Sequence, residues 1–378
     1  MKTKNTMSKA LAFLAILVMI SSCNTDDIEA SRDIEINNDQ EALSTRMIEK
    51  NQAVNIITSS AGKKSKDLEL TLKAELIPPS VNGSLLQATS VSLSGNSFLV
   101  SYNMAGETYH GGIDLIDGKL KLKSEIQFND ADINDVTIIG SDAYFAGGTS
   151  SLESPAFVEK ISIQKGVFTL DNNTRVNIGS YTATSITNAG SSIYVTSGND
   201  KALGGGVYQF TEDLTQQNYR GIEDARWVAE ADGVVYCLSG NPASVNSFDS
   251  NLNAKFDFEH LAPSNAESKM TMDVDDELIF IAGGKEGLLV YDLDGNFLSQ
   301  YTFEDNSITN AVTSDDGIVF ISNGEGGVHV ASYEDGEISM LGKLELESNE
   351  SVNHILLRGN KLYVASGLGG IKLIEVKK

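Results

Sequence analysis

One pattern recurs seven times along this chain and constrains its fold more than any other feature. A strand-like apolar run is centred on positions 99, 144, 194, 236, 280, 320 and 363, at intervals of 40 to 50 residues. Glu277–Gly284 and Lys361–Gly367 are the clearest copies. This period is typical of one four-stranded propeller blade per repeat. The sequence therefore predicts an all-β fold, a seven-bladed β-propeller of four-stranded antiparallel blades.

The residues between these runs supply the remaining strands of each predicted blade. A glycine-bearing loop is followed by a second strand, such as Gly287–Asp292, and by an Asp-Gly turn that favours a hairpin. The seventh repeat ends after only three strands, at Ile371–Lys377. Leu68–Leu76 alternates like an outer strand, and we expect it to pair beside Ile371–Val376 and complete the last blade. The predicted propeller domain is residues 68–378.

The amino-terminal residues have the character of an export signal. Lys2, Lys4 and Lys9 precede an apolar run, Ala10–Ile20, that covers about half of a hydrocarbon core of ~30 Å. Residues 1–22 are therefore predicted to be a signal peptide rather than a membrane-spanning helix. Ile20–Cys23 resembles the lipobox of bacterial lipoproteins, which implies acylation of the Cys23 thiol.

The residues after Cys23 bear on location and flexibility. Asn24–Glu29 is similar to the acidic signal that exports lipoproteins to the outer face of the outer membrane. That resemblance implies a lipid-anchored protein of the cell outer membrane, facing the exterior. Residues 23–67 are polar and lack strand alternation, with one short helix expected within Glu41–Val54. We expect a flexible acidic tether whose removal leaves the stability of the propeller unchanged.

Three of the later repeats carry a family resemblance. The segments concerned are Ile281–Leu293, Ser322–Val328 and Ser366–Leu373. They are similar to the LVIVD-type repeat of bacterial surface β-propellers. The resemblance implies a propeller fold and a surface location, but these repeats share no activity, so it implies no catalytic residue.

Two sets of residues are candidates for binding. The predicted loops Tyr102–Gly111, Gly147–Pro155 and Ser197–Gly205 are long and lie on one face, where Tyr102, Tyr109 and His110 suit recognition because aromatic residues anchor interfaces. The first residues of the innermost strands are expected to line the mouth of the central channel. Aligning the repeats gives Ser90, Asp135, Ser185, Trp227, Met270, Asn310 and His354.

Composition and spacing argue against several other functions. The net charge of -24, with 52 acidic and 28 basic residues, disfavours binding to nucleic acid. Asp292–Asn296 resembles the start of a calcium loop but lacks the later glutamate, and the four histidines have no zinc spacing. We therefore expect no metal, no cofactor and no catalytic residue.

Two classes of function remain. The first is a non-enzymatic scaffold that binds another outer-membrane or surface protein, or a glycan, and is held in the membrane by lipid on Cys23. The alternative is a propeller hydrolase or lyase of the lactonase or glycan-cleaving kind, acting at the channel mouth. The alternative requires clustered carboxylates or a metal, and the aligned positions offer only Asp135.

Overall fold

The structure is a computed structural model that describes residues 33–58, 68–106, 108–200, 204–262, 268–275, 277–305, 307–346 and 351–378. The predicted signal peptide and Cys23 lie outside these residues. Within the described ranges, no helix has the length and apolarity to cross a membrane. The described residues form one compact unit within Asp33–Lys378.

Seven elements precede the first blade, and the first four of them lie before the predicted domain boundary at residue 68. In chain order they are β1 (Ile34–Asn37), α1 (Gln40–Ser44), β2 (Met47–Val54), β3 (Ile56–Ile57), β4 (Glu69–Leu76) and the short hairpin of β5 (Ser80–Val81) and β6 (Ser84–Leu85).

Seven antiparallel sheets, each with four successive strands from the centre of the ring outward, surround a central channel. This arrangement confirms the predicted seven-bladed β-propeller. From the inside outward, blades 1 to 3 are β7 (Gln87–Ser94), β8 (Ser97–Asn103), β9 (Gly111–Ile116) and β10 (Leu122–Phe128); β11 (Ala131–Ile139), β12 (Asp142–Thr149), β13 (Ala156–Gln164) and β14 (Val167–Asn177); and β15 (Ala183–Ala189), β16 (Ser192–Asp200), β17 (Gly204–Phe210) and β18 (Gln216–Gly221).

Blades 4 to 7 repeat this order. They are β19 (Ala225–Ala231), β20 (Val234–Gly240), β21 (Ala243–Phe248) and β22 (Ala254–Glu259); β23 (Met272–Val274), β24 (Leu278–Ala282), β25 (Leu288–Asp292) and β26 (Phe297–Tyr301); β27 (Ala311–Asp315), β28 (Ile318–Ser322), β29 (Val328–Glu334) and β30 (Glu337–Leu344); and β31 (His354–Arg358), β32 (Lys361–Ala365), β33 (Ile371–Lys377) and β4. The seven repeat centres all lie in the second strand of a blade.

The predicted closure of the ring is confirmed. β4 pairs antiparallel with β33, so that Leu76 lies opposite Ile371 and Leu70 lies opposite Val376. A strand from the start of the chain therefore completes the sheet formed by its end. Closure leaves no open seam between the first and last blades.

The apolar core lies between adjacent blades. Side chains of blade 7 and blade 1, among them Tyr363 and Phe98, share one buried cluster, with their ring centroids 5.0 Å apart. The second strands have neighbouring strands at both edges and neighbouring blades on both faces. Because these strands are buried on both faces, their sequences are nearly continuous apolar runs.

The prediction that residues 23–67 form a flexible tether is wrong for the described part, residues 33–58. β1 pairs with β10 of blade 1, β2 with β4 of blade 7, and β3 with β30 of blade 6. The segment therefore adds a fifth strand to three adjacent blades. Each added strand buries only a few side chains, so its sequence shows no clear alternation.

Between α1 and β2, Arg46 connects this segment to blade 1. Its guanidinium forms a bidentate contact with Asp114, at 2.9 and 2.5 Å, and also contacts Glu125. Both carboxylates are buried, with exposures of 0% and 4%. Burial opposes the charge of Arg46, but the adjacent carboxylate of Asp114 holds the pKa of Arg46 above its ordinary value. Without Arg46, two buried acids would lose the cation that pairs with both of them.

Replacing Arg46 tests whether this segment is part of the folded domain. We expect Arg46→Met to lower the free energy of unfolding by about 3–5 kcal/mol, because breaking a buried ion pair leaves uncompensated charge. Urea unfolding measures the loss. Lys50→Met is the control, since its pair with Glu75 at 3.2 Å is more exposed and contributes ~1 kcal/mol or less. Equal, small losses in both variants would restore the tether interpretation.

Candidate functional site

The face on which the innermost strands begin, called here the upper face, carries a closed ring of hydrogen bonds. In each blade a polar side chain donates to a backbone carbonyl oxygen at the start of the next blade. The seven bonds are Thr89 to Ile133 (2.9 Å), Asn134 to Ala183 (2.8 Å), Thr184 to Ala225 (3.0 Å), Arg226 to Ser268 (3.4 Å), Ser268 to Thr309 (3.2 Å), Asn310 to Val352 (3.1 Å) and Asn353 to Ala88 (2.9 Å).

A local irregularity positions four of these donors. The register between first and second strands shifts between Ala88 and Ser90, and the equivalent shift recurs in blades 2, 3 and 4. Each shift leaves one residue unpaired, namely Thr89, Asn134, Thr184 and Arg226 in turn. A bulge of this kind re-aims a side chain. Here the re-aimed side chain reaches the neighbouring blade.

Blade 5 departs from this pattern at Lys269. Ser268 makes the contact to blade 6, while Lys269 crosses the channel and donates from Nζ to the carbonyl oxygens of Thr89 (2.6 Å) and Asn134 (3.2 Å). The ammonium lies 5.5 Å from the centre of the Trp227 ring. Burial lowers the pKa of Lys269 to about 8, although Asp135 opposes the shift.

The channel is divided at this level into two cavities that share no lining residue. The upper cavity, called here the upper basin, has a volume of ≈ 390 Å³, within the range of ligand pockets. All of its lining residues are polar or carry a polar group. They are Gln87, Thr89, Asn103, Asn134, Tyr181, Thr182, Thr184, Arg226, Ser268, Lys269, Asn310, Ser351 and Asn353.

The predicted channel-mouth residues divide between these two cavities. Asp135, Trp227 and His354 line the lower cavity of ≈ 350 Å³, whereas Asn310 lines the upper basin. Asn310 is one residue out of step because the equivalent position in blade 6 is Ala311, which pairs with Ser322 as His354 pairs with Ala365 in blade 7. Ser90 and Ser185 lie beside Asp135, and Met270 is buried in the core.

Asp135 and His354 have different environments below Lys269. The Asp135 carboxylate accepts hydrogen bonds from the hydroxyls of Ser90 (2.6 Å) and Ser185 (2.9 Å) and from the Ile186 amide (2.9 Å). It therefore joins three blades. The His354 ring lies 5.4 Å from Trp227, and its Nδ1 has no hydrogen-bond partner in the described ranges. Burial, with a contribution from Lys269, holds the pKa of His354 well below its usual value.

The expectation that Tyr102 is an exposed recognition residue is wrong. Tyr102 lies near the end of β8, in the core, with 0% exposure, and its hydroxyl donates to Asp114 at 2.7 Å. Tyr109 and His110 are half-buried in the upper-face loop that follows. Beside this loop, burial raises the pKa of Asp132 to about 7, although the backbone amides of Met104 and His110 donate to it.

The sequence analysis missed a group of exposed apolar side chains on the upper face. They lie in the connections between strands or blades: Ile77, Leu85, Leu152, Tyr181, Leu261 and Leu368. Leu152 is 94% exposed. A large apolar residue within a polar loop was the available signal. These six side chains are spread over the connections of several blades, where they are available for contact with a partner.

The described residues contain no group of three or more His, Cys, Asp or Glu side chains placed to hold a metal ion. The enzyme alternative called for clustered carboxylates at the channel. Asp135, Glu230 and Asp273 line the lower cavity, but Asp135 already accepts hydrogen bonds from Ser90, Ser185 and Ile186, and Asp273 accepts from Ser314.

Comparisons with known proteins show the fold. No family model and no curated protein sequence matches this chain. The designed protein Ika8 has a TM-score of 0.52 at 11% identity, covering 86% of this chain and 99% of its own. BamB from Moraxella catarrhalis has a TM-score of 0.51 at 11% identity, covering 88% and 96%. YCF48 bound to D1 peptide has a TM-score of 0.55 at 12% identity, covering 85% and 99%.

Trp227 is the single tryptophan of the chain, so its fluorescence reports the state of Lys269. When the pH rises from 6.5 to 9.5, we expect the emission to change with a midpoint near the Lys269 pKa of about 8, because the neighbouring ammonium loses its charge. The Lys269→Met variant should lack this transition. A transition of the same size and midpoint in that variant would show that another group is responsible.

Proposed function

We propose that this protein is a non-enzymatic scaffold that binds another protein on its upper face. The observation that carries the proposal is the group of six exposed apolar side chains in the connections of the same face as the upper basin. Exposed apolar surface favours association because contact removes it from water. The polar groups of the basin supply orientation and specificity.

The architecture supports this role. Interblade hydrogen bonds and the paired β4 hold the upper face in one shape, and a preorganised surface loses less conformational entropy on binding. One structural neighbour, YCF48, has a peptide bound in its structure. At 12% identity that neighbour shares the fold alone, so the nature of the partner rests on the surface of this chain.

We further propose that the protein is a lipoprotein of the LVIVD-repeat type, anchored through Cys23 at the exterior of the outer membrane. Cys23 and Asp33, the first described residue, are ten positions apart. An extended chain of that length spans at most ~35 Å. The partner that this location favours is therefore another outer-membrane or surface protein.

Variants of the upper face test the binding proposal. Leu152→Ser combined with Leu368→Ser should reduce the amount of partner that is cross-linked to the full-length protein in native membranes, since both leucines are exposed on that face. The control is Leu170→Ser with Leu298→Ser, which changes leucines of β14 and β26 that are 45% and 40% exposed, close to the 45% of Leu368. Equal cross-linking by the two double variants would contradict an upper-face interface.

A cysteine variant tests the anchor. Cys23→Ala should move the protein from the membrane pellet to the soluble fraction, because the acyl chains that stabilise membrane attachment are missing. Cys237→Ala, which changes a buried cysteine of blade 4, should stay in the pellet. Continued sedimentation of Cys23→Ala with membranes would exclude lipid on this residue as the anchor.

A further inference from the structure

The charge of the upper basin differs from that of the chain as a whole. Acidic residues outnumber basic ones by 52 to 28, yet no Asp or Glu lines this cavity. Arg226 and Lys269 are the charged residues that do. A cavity lined by one sign of charge attracts ligands of the opposite sign.

The two cations have different counter-charges. Asp224 contacts the Arg226 guanidinium at 2.6 and 3.1 Å and neutralises it. Lys269 donates to two neutral carbonyl oxygens, and the ion pairs of the described residues do not include it. A partly desolvated ammonium without an adjacent carboxylate is unfavourable. Asp135 of the lower cavity acts on Lys269 through its charge but does not form an ion pair with it, so an anion in the basin would supply a direct counter-charge.

The amides of the basin favour a particular kind of anion. Asn134 and Asn353 use their side-chain N–H groups on the interblade ring, and neither Oδ1 has a partner in the described ranges. Free carbonyl oxygens accept hydrogen bonds and repel a bare anion. The basin therefore suits a molecule that carries N–H groups next to its negative charge, as a polypeptide does.

We propose that the upper basin receives a carboxylate of the partner polypeptide, either an Asp or Glu side chain or the carboxyl terminus, with Lys269 as its ionic contact. The proposal rests on the proposed function and names the group that this site recognises. Asn134 and Asn353 accept hydrogen bonds from the adjacent peptide N–H groups. The interblade ring holds these acceptors in place before the ligand arrives.

A random hexapeptide library with free carboxyl termini, panned on the immobilised full-length protein in detergent, tests this assignment. Enriched peptides should share an Asp, a Glu or dependence on the free terminus. Replacing that carboxylate by its amide should weaken binding about tenfold or more, the scale of one charged contact. Lys269→Met should show a similar loss, while Lys343→Met, which changes an exposed lysine of β30, should bind like the unaltered protein.

Other results would overturn the assignment. Three of them are the absence of any enriched peptide, peptides that bind equally well as amides, and unchanged binding by Lys269→Met. The fourth is displacement of the peptides by glucuronate at a concentration lower than that of the peptides, which would indicate an acidic glycan as the ligand. If Lys269→Met fails to fold, binding by the unaltered protein should still weaken as the pH rises through about 8. If this assignment fails but partner cross-linking still depends on Leu152 and Leu368, the proposed function stands.

Discussion

The hydrogen bond from the Asn353 amide to the carbonyl oxygen of Ala88 joins the last blade of the ring to the first. It is one of seven equivalent contacts, each between a polar side chain and the backbone of the next blade. A propeller has no central hydrophobic core, so its blades depend on the surfaces between them. The ring of hydrogen bonds holds neighbouring blades together at the rim of the channel, where the apolar packing between them ends. It also gives hydrogen-bond partners to the polar groups at the mouth of the channel.

The same contacts determine the shape of the candidate site. The side chains of Asn134 and Asn353 donate their N–H groups to the interblade hydrogen bonds, which leaves their amide oxygens free. Lys269 stands near the ring position of blade 5 and has a different role, since it crosses the channel and separates the two cavities. Structural stability and the proposed binding chemistry therefore rest on one set of residues, and closure of the ring preorganises the candidate site.

The architecture was predictable from the sequence because burial on both faces imposes a strong pattern. The seven apolar runs mark the second strands, and the alternation of Leu68–Leu76 marks the closing strand. Residues 33–58 carry no such pattern, because an added edge strand buries little. Arg46 was missed because its partners, Asp114 and Glu125, lie 68 and 79 positions along the chain. Tyr102 was misplaced because the strand extends further than the loop signal indicated, and its hydroxyl finds a partner inside.

Amide hydrogen exchange on the full-length protein tests the central claim, which is that early segments of the chain are strands of the closed propeller. The account predicts that the amides of β4, which pairs at both of its edges, exchange as slowly as those of β32 in the same blade, and that the β2 amides bonded to β4 exchange far more slowly than those of an unfolded chain. Exchange of β4 as fast as that of an unfolded chain would contradict closure. Fast exchange of β2 alone would contradict the addition of the amino-terminal segment to the blade edges.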